Sequence, residues 1–179
     1  MPRFTSWKVL PLCAGLLLPG CQSSPSAPAP SMADEQASAA HRIAALLARD
    51  ARANAVAYRL MTQNLELCPH ARPIAGWVPH AASLYDGDQR AAVMATGDLQ
   101  SDLPGIIAVA PGSPADQAGL RAGDLILAID GRELRPGAVR SAASYAGFGG
   151  HVATLEDRLD GGGPVMLTVR HHAEPRQLR

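Results

Sequence analysis

The residues of this chain that are able to do chemistry are few, and they lie apart from the partners that a catalytic or metal site requires. The tail "HHAE" brings together His171, His172 and Glu174, which are residue types that bind zinc. Adjacent residues of a strand point to opposite faces, so the two imidazoles do not converge on one ion. We interpret the segment as a solvated hairpin turn and expect neither a metal nor a cofactor.

A catalytic nucleophile is equally unsupported. Ser113 and Ser144 have no histidine and carboxylate placed around them by a motif, and Ser113 is explained as the cap of a short helix. Cys68 precedes a proline and also lacks a histidine placed by a motif. The sequence therefore predicts that this chain is not an enzyme.

Length and charge restrict the possible partners. The 179 residues carry 16 basic and 16 acidic side chains, so the formal net charge is zero. Nucleic-acid-binding proteins show a basic surplus or a basic stripe, and we therefore expect no nucleic-acid partner. The length is enough for one compact domain with accessory segments.

The first residues read as an export signal. "MPRFTSWK" is basic and "VLPLCAGLLL" is apolar but too short to span a bilayer. The following "LPGC", Leu18 to Cys21, resembles the lipobox of bacterial lipoproteins, which implies a signal over residues 1–21 and a lipid on Cys21. The protein is then expected in the bacterial cell envelope, anchored to a membrane and facing the periplasm. A plain secretory signal and release into the periplasm is the alternative.

A tether and a helix are predicted next. Residues 22–38 are rich in serine, proline and alanine, which is typical of a disordered linker. Residues 39–68 have helical periodicity. The predicted apolar stripe consists of Ile43, Leu46, Leu47, Val56, Leu60 and Met61. The charged positions are Arg42, Arg49, Arg52 and Arg59, which we interpret as a solvated face, with a membrane-surface role as the alternative.

Cys68 is the odd cysteine of the exported chain, because Cys13 lies in the signal and Cys21 is expected to carry a lipid. Exported proteins usually pair their cysteines in disulfides. Two interpretations stay open. Either Cys68 is buried and inert, or it has a disulfide partner on another chain or on a longer form of this one.

The stretch "APGSPADQAGLRAGDLILAIDG", residues 110–131, predicts a tight strand–helix–strand unit. Ser113 caps a short helix, and Gly119 suits the left-handed residue that ends it. Residues 125–129, "LILAI", form a strand that is apolar on both faces and hence buried. Asp130 and Gly131 turn the chain out of this strand.

The remaining pattern completes an α+β fold. Short apolar segments predict strands near residues 75–78, 105–110 and 164–170, and helices ending at residues 97 and 160. A further strand begins at residue 176 and is expected to be cut by the chain end. The expected architecture is a signal and tether, one long helix, and a small sheet capped by helices.

Two segments resemble a PDZ domain of the bacterial HtrA-protease type. They are "APGSPADQAGLRAGDLILAIDGREL" and "LEDRLDGGGPVMLTVR", and they occur in the order of that family. The resemblance implies a PDZ domain over residues 69–179, built as a small β-barrel or sandwich with its last strand truncated. It also implies binding of protein C-termini or extended peptides.

The resemblance implies a site as well. In that family an x-apolar-Gly-apolar loop holds the ligand carboxylate with its backbone amides, and Ile74-Ala75-Gly76-Trp77 matches this pattern. The peptide then adds as a strand beside Trp77 and Val78, and the later helix walls the pocket for its last side chain. The implied peptide-binding residues are Ala75, Gly76, Trp77, Val78, His151, Val152 and Leu155. On this basis Gly76→Asp is expected to abolish binding and to leave the fold nearly intact.

Three functional hypotheses follow. The first is an envelope adaptor or regulatory module that binds peptides. The second comes from a fainter likeness to the front half of exported bacterial proteins that continue into a zinc peptidase with HExxH, a motif absent from this sequence. The third is a PDZ fold used only for packing, with its groove closed by Trp77.

Overall fold

The chain folds into one long helix followed by an antiparallel sheet with helices, which confirms the predicted α+β class. The computed structural model describes residues 31–97, 99–100, 102–138, 142–171 and 174–179. The predicted signal, Cys21, the predicted tether up to residue 30 and His172 lie outside these residues. The helices are α1 (Met32–Gln63), α2 (Gly87–Gly97), α3 (Pro114–Gln117) and α4 (Ala146–Asp160). The strands are β1 (Trp77–His80), β2 (Gly105–Val109), β3 (Asp124–Ile129), β4 (Arg132–Glu133), β5 (Leu167–His171) and β6 (Glu174–Leu178).

Helix α1 begins earlier than the sequence periodicity indicates, at Met32 within the segment predicted as tether. The reason is a capping box. The Ser31 hydroxyl accepts a hydrogen bond from the Asp34 amide at 3.2 Å, and the Asp34 carboxylate accepts one from the Ser31 amide at 3.1 Å. Hydrogen bonds from the Ser31 hydroxyl and amide also lower the pKa of Asp34. The last residues of the helix give way to a 3-10 turn before Pro69.

The buried face of α1 differs from the predicted apolar stripe. Ala39 and Ile43 are buried and Leu47 and Ala51 are partly buried, at a spacing of four residues. The other predicted members of the stripe, Leu46, Val56, Leu60 and Met61, are between 41% and 56% exposed. Small alanine side chains let the helix approach the sheet closely, so the contact follows the alanines and not every large apolar residue.

Helix α1 packs on the sheet, although the sequence pattern predicts that this helix is separate from the domain that contains the sheet. Its buried residues join a helix-side cluster: Ala39, Ile43, Ala82, Tyr85, Ala92, Val93, Leu99, Ile107 and Ala108. Val78 pairs with Ala108 whereas Pro79 pairs with Ile106, so the β1–β2 ladder has a bulge at Ile107. The bulge lets Ile107 and Ala108, which are consecutive, contribute to one cluster.

The other face of the sheet carries the second core. This sheet-core cluster consists of Ala75, Ile106, Ala115, Leu120, Ile126, Ile129, Leu155, Leu167 and Val169. Helices α3 and α4 contribute Ala115 and Leu155 to it. Strand β2 therefore lies between two apolar clusters, which explains why residues 105–108 are all buried.

The sheet order is β1-β2-β3-β5-β6, with β4 paired to β3, so β1 and β6 are its edges. The predicted corners are confirmed. Ser113 caps α3 by accepting from the Asp116 amide at 3.2 Å, and Gly119 has φ +84°. Asp130 and Gly131 have φ values of 49° and 77°, as a tight hairpin turn between β3 and β4 requires.

A buried carboxylate ties the edge strand β6 to the centre of the sheet. Asp124 is fully buried, and it accepts hydrogen bonds from the Arg121 amide at 2.8 Å and from Arg176 Nη2 at 2.6 Å. Its other oxygen lies 2.9 Å from His171 Nδ1. A buried charge is tolerated only when it is paired and hydrogen-bonded, so Asp124 fixes β5 and β6 in one arrangement.

Strand β3 offers a test of the core. Ile126 is 0% exposed, whereas Leu127 is only partly buried at a register shift between Ile126 and Ala128. The strand is thus buried on both faces except at Leu127. We expect Ile126→Ala to lower the free energy of unfolding by about 2–5 kcal/mol, and Leu127→Ala to lower it clearly less, in urea denaturation. Equal losses would contradict this burial.

A second test uses the imidazole at the end of β1. His80 Nδ1 lies 2.5 Å from the Tyr85 hydroxyl, and burial lowers the pKa of His80 despite the opposing effect of Asp50. The folded state therefore prefers neutral His80, so its contribution to stability is complete above the unfolded pKa of about 6.5 and is lost as the pH falls below it.

We expect the melting temperature to fall between about pH 7.5 and pH 5, and to fall less in His80→Gln. The quantity to compare is the decrease in melting temperature over this pH range in each protein. The melting temperatures at one pH do not serve, because the variant also loses the contact with Tyr85 at every pH. A fall of the same size in both proteins would show that His80 does not cause it.

Candidate functional site

The chain at Ala75 and Gly76 is held from two sides. The Gly76 carbonyl accepts hydrogen bonds from the Ala110 amide at 2.7 Å and from Asn54 Nδ2 at 3.0 Å. The Ala75 carbonyl accepts one from the Ala115 amide at 3.1 Å. Both carbonyls thus bind to the body of the protein, and α1 contributes Asn54 directly to the loop that the sequence singles out.

The amides of this loop have no such partner. Within the described residues, neither the Ala75 nor the Gly76 amide donates a hydrogen bond. Gly76 has φ +79°, a left-handed conformation that is found next to residues whose amides converge on one anion. Buried amides normally find an acceptor, and a ligand carboxylate would supply one here.

An apolar cavity of about 210 Å³ adjoins the loop. Its walls include the uncharged side chains of Ala75, Trp77, Ala118, Leu120, Leu159 and Leu178, so the cavity suits an aliphatic side chain. The lining also includes Arg179, a cation. The two residues that flank Gly76 are therefore also walls of the space beside it.

A second hollow, of about 190 Å³, lies where the approach to the loop meets α4. It is lined by Arg72, Pro73 and Ile74 on one side and by Glu156, Leu159 and Asp160 on the other. Arg72 Nε donates to Asp160 Oδ1 at 3.0 Å. This ion pair is largely exposed and hence weak, but it places the loop and the end of α4 side by side.

Helix α4 presents a different residue to the cavity from those that the sequence predicts. Leu155 is buried in the sheet-core cluster, where Ala75 also lies, and Val152 is partly buried. The cavity wall comes instead from Leu159, one turn further along. Sequence reasoning missed Leu159, although its spacing of four residues from Leu155 is the signal that could have found it.

His151 has an unsatisfied nitrogen. The residue is partly buried, and its Nε2 atom is buried without a hydrogen-bond partner in the described residues. A buried polar atom of this kind usually has a partner in the functional state. The place of His151 among the implied peptide-binding residues stays a prediction.

Two side chains of strand β1 pack against the two apolar clusters of the sheet. Trp77 packs against the sheet-core cluster, and Val78 packs against the helix-side cluster. Because β1 is an edge of the sheet, its outer backbone is the part that faces a possible added strand. The predicted residues Ala75, Gly76, Trp77 and Val78 are thus together, next to a free edge and a cavity.

Two other candidates of the sequence, Cys68 and His171, are not among the residues that line the cavity beside the loop. Cys68 is exposed, so the interpretation as a buried, inert residue is wrong. His171 lies against Asp124 and not near the loop. The described residues contain no group of histidine, cysteine or acidic side chains suited to a metal ion. Within the same residues, no helix combines the length and the apolar character needed to cross a bilayer.

Comparison with known families identifies the central segment. Residues 105–148 match the family model described as PDZ domain. This segment is a PDZ domain. It contains β2, α3, β3 and β4 and reaches the first residues of α4, whereas the loop at Gly76 lies before it. The PDZ resemblance is confirmed in this respect, and no curated protein matches the chain.

The structure corrects one expectation about the loop at Gly76. A Cβ atom at Gly76 would overlap Ser113 Cβ, lie 2.8 Å from Ser113 Oγ and lie 3.1 Å from Tyr58 Cδ2. Gly76→Asp therefore cannot leave the fold nearly intact, because the buried cap of α3 would have to move and the side chain would be strained at positive φ.

We expect even Gly76→Ala to lower the melting temperature by several degrees, since positive φ and overlap each cost on the order of 1 kcal/mol or more. Gly112→Ala is the matched control, because Gly112 also has positive φ, +75°, but a Cβ atom there would have no neighbour within 4 Å. Thermal unfolding followed by circular dichroism compares them. An equal decrease in both variants would contradict the role of the Ser113 contact.

Proposed function

We propose that this protein is a cell-envelope PDZ protein that binds the C-termini or extended segments of partner proteins, as an adaptor or regulatory module. A PDZ domain implies peptide binding in general. The observation that carries the finer proposal is the pair of amides at Ala75 and Gly76, without acceptors in the described residues and beside an apolar cavity.

The chemistry of binding follows from this arrangement. The ligand carboxylate accepts hydrogen bonds from the loop amides, and bonds to a charged acceptor are stronger than bonds between neutral groups. The last side chain enters the cavity between Trp77 and Leu159. The preceding residues pair with the edge of β1, where Pro79 limits the length of the ladder because it has no N–H.

The location is part of the proposal. The resemblance of Leu18–Cys21 to a lipobox supports a lipid on Cys21 and an anchor on the periplasmic side of a membrane. An exported adaptor of this kind binds the C-terminal segments of envelope proteins and catalyses no reaction on them. A regulatory part of an exported zinc peptidase remains the alternative, and a longer reading frame would reveal it.

The test is a fluorescence titration of the full chain with peptides that end in an aliphatic residue. Each peptide is used with a free carboxylate and with an amidated C-terminus. We expect amidation to weaken binding about tenfold or more, since hydrogen bonds to charged groups contribute about 1.5–3 kcal/mol. Equal affinity of both forms would exclude carboxylate recognition, and absence of binding would favour a fold used only for packing.

A variant of the protein tests the cavity. Ala118→Phe fills it from the end of α3, where Ala118 is partly exposed and has helical φ and ψ. Ala153→Phe, on the exposed side of α4, is the matched control. Loss of binding in the first variant only is the expected result, and unchanged binding in both would show that the cavity does not hold the last side chain.

A further inference from the structure

The outer face of α1 is cationic and partly apolar. Arg42, Arg49, Arg52 and Arg59 are exposed, and within the described residues none of them forms an ion pair with a carboxylate. Arg42 donates to Ser38 Oγ at 2.6 Å, which is a contact within the helix. Within the described residues, these four charges are therefore available to solvent or to a partner molecule.

Most acidic side chains of α1 lie outside its arginine-bearing part, because Asp34 and Glu35 are in the first turn of the helix, before Arg42. Between residues 36 and 65 the only acidic residue is Asp50. Asp50 is partly buried, and its charge acts on His80 and Tyr85 at the sheet. The chain as a whole is neutral, so this part of α1 holds a local positive surplus that the remainder of the chain compensates.

Aliphatic side chains lie among the arginines. With 3.6 residues per turn, the exposed Val56 falls between the arginines, on the side of α1 opposite to Ile43 and Leu47. The exposed Leu60 falls at the edge of that side, in line with Arg42 along the helix. The exposed Leu46 lies at the border of this side. Exposed aliphatic side chains set between arginines are the composition of helices that lie in a membrane interface. From Arg42 to Leu60 this face spans about 27 Å along the helix.

The position of α1 in the chain also favours a membrane as the partner of this face. Ser31, the cap of α1, follows Cys21 by ten residues. A chain of this length spans at most about 35 Å. If Cys21 carries a lipid, α1 is held next to the bilayer.

We infer that the outer face of α1 is a docking surface for an anionic phospholipid bilayer, formed by its arginines and by the aliphatic side chains between them. The helix lies parallel to the membrane, the arginines contact lipid phosphates, and the aliphatic side chains reach the interface. The opposite face of α1 stays on the sheet, so the peptide site is held at a fixed side of the membrane surface.

The experiment measures binding of the full chain to vesicles by co-sedimentation. Cys21→Ser is present in every protein, so that no lipid anchor is attached. Vesicles of phosphatidylcholine alone are compared with vesicles that also contain phosphatidylglycerol. Arg49→Gln, Arg52→Gln and Arg59→Gln are combined in one variant. The control combines Arg121→Gln, Arg132→Gln and Arg135→Gln, which are exposed and remove the same net charge elsewhere.

We expect binding to the anionic vesicles, and a loss on the order of 100-fold in the α1 variant, because each basic residue near an anionic surface contributes about 1 kcal/mol. The control variant should keep its affinity within a few fold. Equal loss in both variants, or no binding by the parent protein, would overturn the proposal. Equally tight binding to soluble polyglutamate would overturn it in favour of an acidic protein partner.

Peptide titration of the same variants separates this inference from the proposed function. The replaced arginines do not line the cavity beside Gly76, so carboxylate-dependent peptide binding should be unchanged in the α1 variant. Loss of vesicle binding with intact peptide binding is the expected combination.

Loss of both activities together would show that the glutamines disturb the fold. A variant with Arg49→Lys, Arg52→Lys and Arg59→Lys then decides, because it keeps the charge of α1. Vesicle binding close to that of the parent protein would support the docking surface, and binding as weak as that of the glutamine variant would overturn it.

Discussion

The close approach of Gly76 to Ser113 is the contact on which the arrangement of the site depends. Ser113 is fully buried and caps α3, while the neighbouring Ala110 and Ala115 amides bind the carbonyls of the loop. One tight turn therefore ends β2, starts α3 and fixes the loop before β1. The carbonyls of Ala75 and Gly76 are used in this contact, whereas their amides donate no hydrogen bond within the described residues. The proposed anion-binding role of the loop is therefore a consequence of how the core is closed.

Much of the fold could be predicted from the sequence because its corners depend on local chemistry. Ser113 before a proline, Gly119 and the Asp130-Gly131 pair each indicate one backbone conformation, and all three occur as predicted. Rules of this kind need no knowledge of distant residues. The start of α1 at Met32 was missed for a related reason, since a capping box of Ser31 and Asp34 was hidden in a segment that composition marks as a linker.

The parts that could not be predicted depend on contacts between distant segments. Periodicity showed that α1 is helical, but it could not show that alanines form much of the buried face, because that choice depends on the shape of the sheet. Likewise, no local pattern indicates that Asn54 reaches the Gly76 carbonyl. Helical spacing places Leu155 and Leu159 on one face of α4, but it does not indicate which of the two lines the cavity. The predicted loop residues lie together because they are consecutive, whereas the opposite wall had to be placed by tertiary packing.

Strand β1 is an exposed edge as well as the place where a peptide is proposed to bind, and an exposed edge pairs with any extended chain that it meets. Pro79 lies in this four-residue strand. Prolines occur on edge strands with the nitrogen directed away from the ladder, so the outer side of β1 offers an interrupted row of donors. Two copies of the protein therefore cannot form a continuous ladder of hydrogen bonds along this edge. The proline thus limits self-association through the same edge at which a peptide is proposed to bind.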